Sequence, residues 1–198
     1  MKTILHICVS PRGAAAYSRI ASDRLVASLL ARSPGARVIE RDLAAAPPPL
    51  VDAAFSAAIL ARDGASPALA VSEALIQELE AADTLVIATP MHNYTVPAAL
   101  KAWLDQVVRI DRTFRSTPAG KMGLLADRPV FVVMASGGWF TEAAPEGVPV
   151  QPDFLTPYLR AVLGTIGLCD LRCIPLEGMA RGPDSVARAM AGAAAALG

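Results

Sequence analysis

The feature that most constrains this chain is a regular alternation of short apolar runs with longer stretches of helical periodicity. Thr3–Val9, Thr84–Thr89 and Val130–Ala135 are strand-length and apolar, the pattern of buried strands, and Leu171–Leu176 is read as a further strand. Arg37–Asp42 is a more polar strand and belongs nearer a sheet edge. Helices are predicted between these runs over Ser18–Ala31, Asp52–Leu60, Pro67–Ala82, Pro97–Arg109, Asp153–Ile166 and Ser185–Leu197. In the first, Ala21, Leu25 and Leu29 recur at four-residue spacing. In the fourth, Pro97 suits a first helical position, and Leu100, Trp103, Leu104, Val107 and Val108 share one side. Leu43–Asp52 contains Pro47-Pro48-Pro49 and cannot be regular structure. Strand–helix alternation of this kind predicts a parallel sheet covered by helices on both faces. No linker separates two cores, so residues 1–198 are expected to form one domain.

Composition removes several functional classes. The 198 residues are 54% hydrophobic and only 18% charged, which excludes disorder for the bulk of the chain. Eighteen basic residues balance eighteen acidic ones, leaving no positive excess for nucleic acid. No stretch approaches the roughly 20 consecutive apolar residues of a spanning helix, and Met1–His6 lacks the pattern of a signal peptide. A cytoplasmic protein away from the membrane is expected. The odd cysteine count, Cys8, Cys169 and Cys173, rules out full pairing within the chain. Their spacing is not that of a zinc site, so no metal is expected and all three are taken as buried, reduced thiols.

In a parallel sheet of this type, ligands bind beyond the carboxyl ends of the strands, which directs attention to three loops. The first, Ser10 to Ser18, offers the hydroxyls of Ser10, Tyr17 and Ser18, the Arg12 guanidinium, and the N-terminus of a helix. Such a terminus is a ready phosphate site, although Ser18 could simply cap the helix. The loop lacks both the G-x-G-x-x-G of a dinucleotide site and the G-x-x-x-x-G-K-[ST] of a triphosphate loop. The second, Pro90-Met91-His92-Asn93-Tyr94, could lie along a planar heterocycle or be a turn with a buried aromatic. His6 falls inside a strand, which leaves His92 as the candidate catalytic histidine, but no G-x-S-x-G elbow accompanies it. The third, Ser136-Gly137-Gly138-Trp139-Phe140, carries adjacent glycines that permit close backbone approach to a ligand or form a tight turn. Its two aromatics could wall a flat substrate or pack against a second subunit.

Taken together, these segments resemble the FMN-dependent NADH azoreductases, also described as NADH:quinone oxidoreductases. The resemblance is carried by Ser10…Tyr17-Ser18, by Pro90–Tyr94 followed by Pro97 and Leu100-Lys101, and by Arg109…Thr113-Phe114-Arg115. Thr156-Pro157-Tyr158-Leu159, Gly164-x-Ile166-Gly167 and Glu177-Gly178…Gly182-Pro183 extend it over nearly the whole chain. It implies a flavodoxin-like three-layer α/β sandwich with five parallel strands in the order 2-1-3-4-5. It also implies FMN, with Ser10 and Ala16-Tyr17-Ser18 at the phosphate. Met91-His92-Asn93-Tyr94 would run beside the isoalloxazine ring and Ala135-Ser136-Gly137-Gly138 at its pyrimidine edge. Hydride would pass from NADH or NADPH through FMN to a quinone or azo acceptor, with His92 as a possible proton donor. The chain departs from the family pattern: His92 stands where tyrosine is usual, Ala135-Ser136 where serine-arginine is usual, and Ala16 where a hydroxyl residue is common. The alternatives are a flavodoxin-type electron carrier, against which the zero net charge counts, and an NAD(P)H-dependent FMN reductase.

The resemblance further implies a homodimer with the active site at the subunit interface. Phe114, Trp139, Phe140 and the segment Leu43–Phe55 are apolar or awkward for a solvated surface, and two-fold pairing would cover them. Phe114, Trp139 and Phe140 are accordingly expected to line the substrate pocket.

Overall fold

The computed structural model describes residues 2–197. Five parallel strands form the central sheet: β1 (Thr3–Cys8), β2 (Arg37–Asp42), β3 (Thr84–Pro90), β6 (Val130–Ala135) and β7 (Leu171–Leu176). Their spatial order is β2-β1-β3-β6-β7. The apolar runs expected as buried strands are therefore β1, β3 and β6, inside the sheet, and the remaining expected strand is β7, at one edge with Arg172 and Pro175 exposed. The polar run is β2, at an edge. Six helices pack around them: α1 (Tyr17–Arg32), α2 (Ala53–Leu60), α3 (Ala70–Ala81), α4 (Ala98–Val107), α5 (Leu155–Thr165) and α6 (Pro183–Leu197). Counting only the sheet strands, the order is the anticipated 2-1-3-4-5 of a flavodoxin-like fold.

Side chains alternate across the sheet and build one core on each face. Leu5, Ile7, Leu85, Ile87, Val130 and Val132 pack with Ile76, Leu79, Leu100, Trp103, Leu104 and Leu159 beneath α3, α4 and α5. Ile4, Val86, Val133 and Ile174 pack on the other face with Leu25 and Val26 of α1 and Ala193 of α6. Each fully buried Leu, Ile or Val contributes about 1.5–3 kcal/mol of transfer free energy, so these two layers dominate the fold's stability. His6, on the α1 face of β1, is buried, and its Nε2 lies 2.8 Å from Ser22 Oγ. Burial holds His6 below the usual imidazole range. It also pushes the neighbouring Cys8 thiol up to about 12.

Two expectations are corrected. A two-stranded antiparallel hairpin, β4 (Phe114–Thr117) and β5 (Gly120–Gly123), leaves the sheet between α4 and β6. Its base is pressed so closely on the turn after α5 that a side chain at Gly123 would stand 2.2 Å from the Gly167 nitrogen. Nothing in the alternation announced it, because both strands are four residues long and mostly polar. The cysteines also differ from expectation: Cys8 is buried, but Cys173 is half-buried and Cys169 exposed. Cys169 lies in the connection before β7 rather than in a packed layer.

Candidate functional site

The loops after β1, β3, β6 and β7 converge on a cavity of about 270 Å3. From the first loop, Ser10, Arg12, Ala16, Tyr17 and Ser18 line it. Gly13, at φ +55°, opens a single 3-10 turn (Gly13–Ala15), and Ala16 is extended at φ −75°, ψ 130°. That extended residue starts α1, and its carbonyl accepts the first helical bond from the Ile20 N–H at 2.9 Å. No side chain caps the helix. The simple capping role for Ser18 is therefore not realised; Ser18 sits one residue inside the helix and is buried. The helix start, whose first-turn N–H groups an α-helix cannot satisfy internally, lines the same cavity as Ser10 and Ser18. Arg12 stands 5.2 Å above the Tyr17 ring at the rim, and no carboxylate pairs with it among the described residues.

The second loop is a tight hairpin. His92 and Thr95 exchange backbone hydrogen bonds of 3.0 Å in both directions. The two residues between them have positive φ, +48° at Asn93 and +69° at Tyr94, as two-residue hairpin turns require. The Phe154 N–H donates to the Tyr94 carbonyl at 2.9 Å and ties the tip down. Met91 and His92 consequently line the cavity, whereas Asn93 and Tyr94 project to solvent at the turn and do not. The alternative of a turn with a buried aromatic is not realised, since Tyr94 is 47% exposed.

In the third loop Ala135, Ser136 and Gly137 line the cavity. Gly138 does not, and the place its side chain would take lies 2.9 Å from Gln151 Oε1. Ser136 is the anchor of the loop. Its N–H donates to the Leu176 carbonyl at 2.8 Å, and its carbonyl accepts from the Met179 N–H at 2.9 Å. The aromatics that follow turn away. Phe140 belongs to the core beneath α5, and Phe114 is likewise buried, with Lys121 Nζ 5.2 Å from its ring. Neither lines the cavity, which corrects the expectation of exposed aromatic walls. Both fold back on their own chain, Phe140 into the apolar layer beneath α5. Trp139 lines a separate cavity with Ser185, Arg188 and Ala193 of α6, its ring 5.7 Å from the Arg181 guanidinium carbon.

Three features of the site escaped the sequence. Met179 and Ala180, after β7, close one side of the cavity. Glu177, also buried, accepts the Phe140 and Thr141 N–H groups at 2.6 and 2.8 Å and the Thr141 hydroxyl at 2.6 Å, fixing the far end of the third loop. Gly178, at φ +67°, lets the fourth loop pass the indole: a side chain there would stand 2.5 Å from Trp139 Cζ2. The Glu177-Gly178 pair was visible in sequence as part of the resemblance, but not the work of its carboxylate.

A larger cavity, about 360 Å3, lies where α2 and α3 meet the turn after α4. It is lined by Arg62, Glu73, Arg109, Asp111 and Arg112 with apolar neighbours. Its charges are largely consumed. Glu73 accepts from Arg109 at 2.9 Å and from Arg112 at 2.8 Å, while Arg112 also pairs with Glu80 at 2.6 Å. The Arg112 bond, backed by Arg109, holds the Glu73 carboxyl below its usual range.

A model of the family described as flavodoxin-like fold matches residues 2–198. The chain belongs to that family. Within the flavodoxin-like family it is 52% identical over 193 residues, 95% of this chain and 92% of the relative, to FMN-dependent NADH:quinone oxidoreductase 2 of Cupriavidus pinatubonensis. It is 46% identical over 198 residues to FMN-dependent NADH:quinone oxidoreductase 4 of Pseudomonas fluorescens, covering all of this chain and 94% of that one. Among solved structures, the azoreductase from Bacillus anthracis superposes with a TM-score of 0.84 at 25% identity, over 100% of this chain and 97% of that one. Among the described residues, no helix is long and apolar enough to cross a membrane, and no group of His, Cys, Asp and Glu could hold a metal ion.

Proposed function

We propose that this chain, over residues 1–198, is a single FMN-binding domain that oxidises NADH or NADPH and reduces quinones, and azo compounds where they fit. The observation that carries this reading is the unspent donor set of the smaller cavity. Ser10, Ser18 and the start of α1 line the same cavity, and hydroxyls beside a helix N-terminus are what a phosphate needs. Gly137 and the backbone around it leave a cradle open beside that point; a side chain at Gly137 would press on Ala180 Cβ at 3.3 Å. Hydroxyls for a phosphate and a glycine-smooth wall for a flat ring fit a flavin mononucleotide, and the names of the relatives above support the same cofactor.

In this reading Ser10, Ala16, Tyr17 and Ser18 hold the phosphate end. Met91, His92, Ala135, Ser136 and Gly137 form the walls for the ring, with Asn93, Tyr94 and Gly138 shaping the loops behind them. FMN, when bound, supplies the two-electron hydride chemistry; the protein supplies orientation and the surrounding field. The residues of the chain exclude water from one side, and the Gly137 backbone offers an N–H group where negative charge develops. His92 is exposed beside Met91 and can deliver a proton to a reduced acceptor. The test is direct. Purified protein should carry a yellow chromophore through gel filtration and be bleached by NADH in stopped-flow mixing, with colour restored by a quinone. A carrier of the flavodoxin type would not be reduced directly, and a flavin reductase would lose its colour on the column.

We further infer a cytoplasmic homodimer. With Phe114 and Phe140 buried, support for the dimer moves to the segment around α2. There Leu50 and Leu60 are 78% and 85% exposed, and Val51 adds to the same apolar surface. Light scattering at micromolar concentration should give twice the chain mass. A charge at Leu60 should shift the molecule to the monomer, and a wild-type monomer with full quinone reductase activity would overturn the inference.

A further inference from the structure

Gln151 lies outside the cavity, in the loop before α5, yet its carboxamide joins the two loops that form the cavity's walls. The backbone brings it there: the Gln151 N–H donates to the Trp139 carbonyl at 2.8 Å, and Val150 bridges Trp139. Its Nε2 then reaches Ser136 Oγ at 2.7 Å and Met91 Sδ at 3.2 Å. A thioether sulfur can only accept. The end of the amide that meets Met91 is therefore the NH2 end, since the carbonyl end would set two acceptors face to face. One amide hydrogen goes to the sulfur and the other to Ser136.

That assignment settles the direction of the second bond. Because Nε2 donates, Ser136 Oγ accepts, and the Ser136 hydroxyl proton is released to point elsewhere. Among the described residues no acceptor meets that proton, and Ser136 is 3% exposed and lines the cavity. A buried hydroxyl with an unspent proton seeks an acceptor, and here the acceptor must come from whatever the cavity holds.

We propose that Gln151 is a positioning residue that fixes Ser136 as a hydrogen-bond donor to the carbonyl-bearing edge of the bound flavin, so that Ser136 favours the reduced, more negative form of the cofactor. This rests on the FMN reading above. Chemically, a serine oriented by an amide offers one directed proton at this corner without adding a charge, and Met91 locks the direction.

The test compares Ser136→Ala, Gln151→Glu and the double variant by FMN titration and by reduction-potential measurement against indicator dyes. Gln151→Glu preserves size but replaces the donor with an acceptor, so the Ser136 proton turns back to the protein. Both single variants should lower the preference for reduced over oxidised FMN by about threefold to tenfold, the reach of one neutral hydrogen bond; tenfold is about 30 mV for a two-electron couple. The double variant should go no further than either single one, because both remove the same donor. If Gln151→Glu acts equally strongly without the Ser136 hydroxyl, its charge alone is responsible and the proposal falls. Single variants with wild-type potentials overturn it as well. Wild-type protein that binds no FMN would instead remove the reading beneath it.

Discussion

The two cavities differ in a way that size conceals. The larger, near Glu73, is rich in charge, but Glu73, Arg109 and Arg112 face one another and satisfy one another. The smaller is lined by one guanidinium, Arg12, by the His92 imidazole, and by hydroxyls, apolar side chains and backbone, and among the described residues neither the Arg12 guanidinium nor the Ser10 and Ser18 hydroxyls donate to a protein group. A paired cluster holds elements together, whereas unpaired donors on a rigid frame are what a ligand meets. Capacity left over after folding, rather than volume or formal charge, distinguishes a binding site from a structural joint.

Replacing Ser10 and Ser18 together with Ala should give the largest effect. Hydrogen bonds to a charged group contribute roughly 1.5–3 kcal/mol each, so FMN affinity should fall by about two to four orders of magnitude. Fluorescence titration would read the loss, and unchanged affinity would break the comparison. Glu73→Gln should do the converse and leave FMN affinity alone while lowering stability. Arg109 is 5% exposed and loses its carboxylate partner. A loss of about 2–3 kcal/mol is expected after allowance for the solvent contact of Glu73, seen as a Tm lower by roughly 4–12 °C.

The same carboxyl carries a pH signature. Its folded-state pKa is depressed by Arg112 and Arg109, so the stabilisation is complete above the unfolded value of 4.5 and disappears as pH falls through the lower folded value. Acid unfolding followed by circular dichroism should therefore be shallower for Glu73→Gln than for wild type in that window. The smallest effect is expected at the rim. Arg12→Ala removes an exposed cation near the phosphate donors and should weaken FMN binding about threefold, more at low salt than at high salt. A salt-independent change would mean that Arg12 acts through its contact with Tyr17 instead.

The legibility of these features in sequence follows their range. The sheet was readable because strands buried on both faces must be continuously apolar, and Leu85–Ala88 or Val130–Ala135 admit little else. Ser10 and Ser18 were readable because a strand followed by hydroxyls and a helix start is a local pattern. The β4–β5 hairpin was not, since Arg115, Ser116 and Lys121 carry no apolar alternation, and its anchor is the distant Gly167. Gln151 joins residues 15 and 60 positions away, and no local periodicity marks such a partner. Phe114 and Phe140 misled for a related reason: a loop aromatic looks stranded until the layer it enters is known.

The left-handed turn at Asn93 and Tyr94 bears on any attempt to make this protein more robust. Asparagine tolerates positive φ, but tyrosine at +69° stores about 1–3 kcal/mol of backbone strain. Glycine would release it, and a search for heat-resistant variants should find Tyr94→Gly readily, because the bonds holding the turn come from the backbone of His92, Thr95 and Phe154 and would persist. Such a variant would also erase a ring, 47% exposed, from the turn that carries Met91 and His92 at the cavity wall. Thermal endurance and turnover should therefore move in opposite directions at this one position, and selection for durability alone would erode the enzyme from its most strained corner.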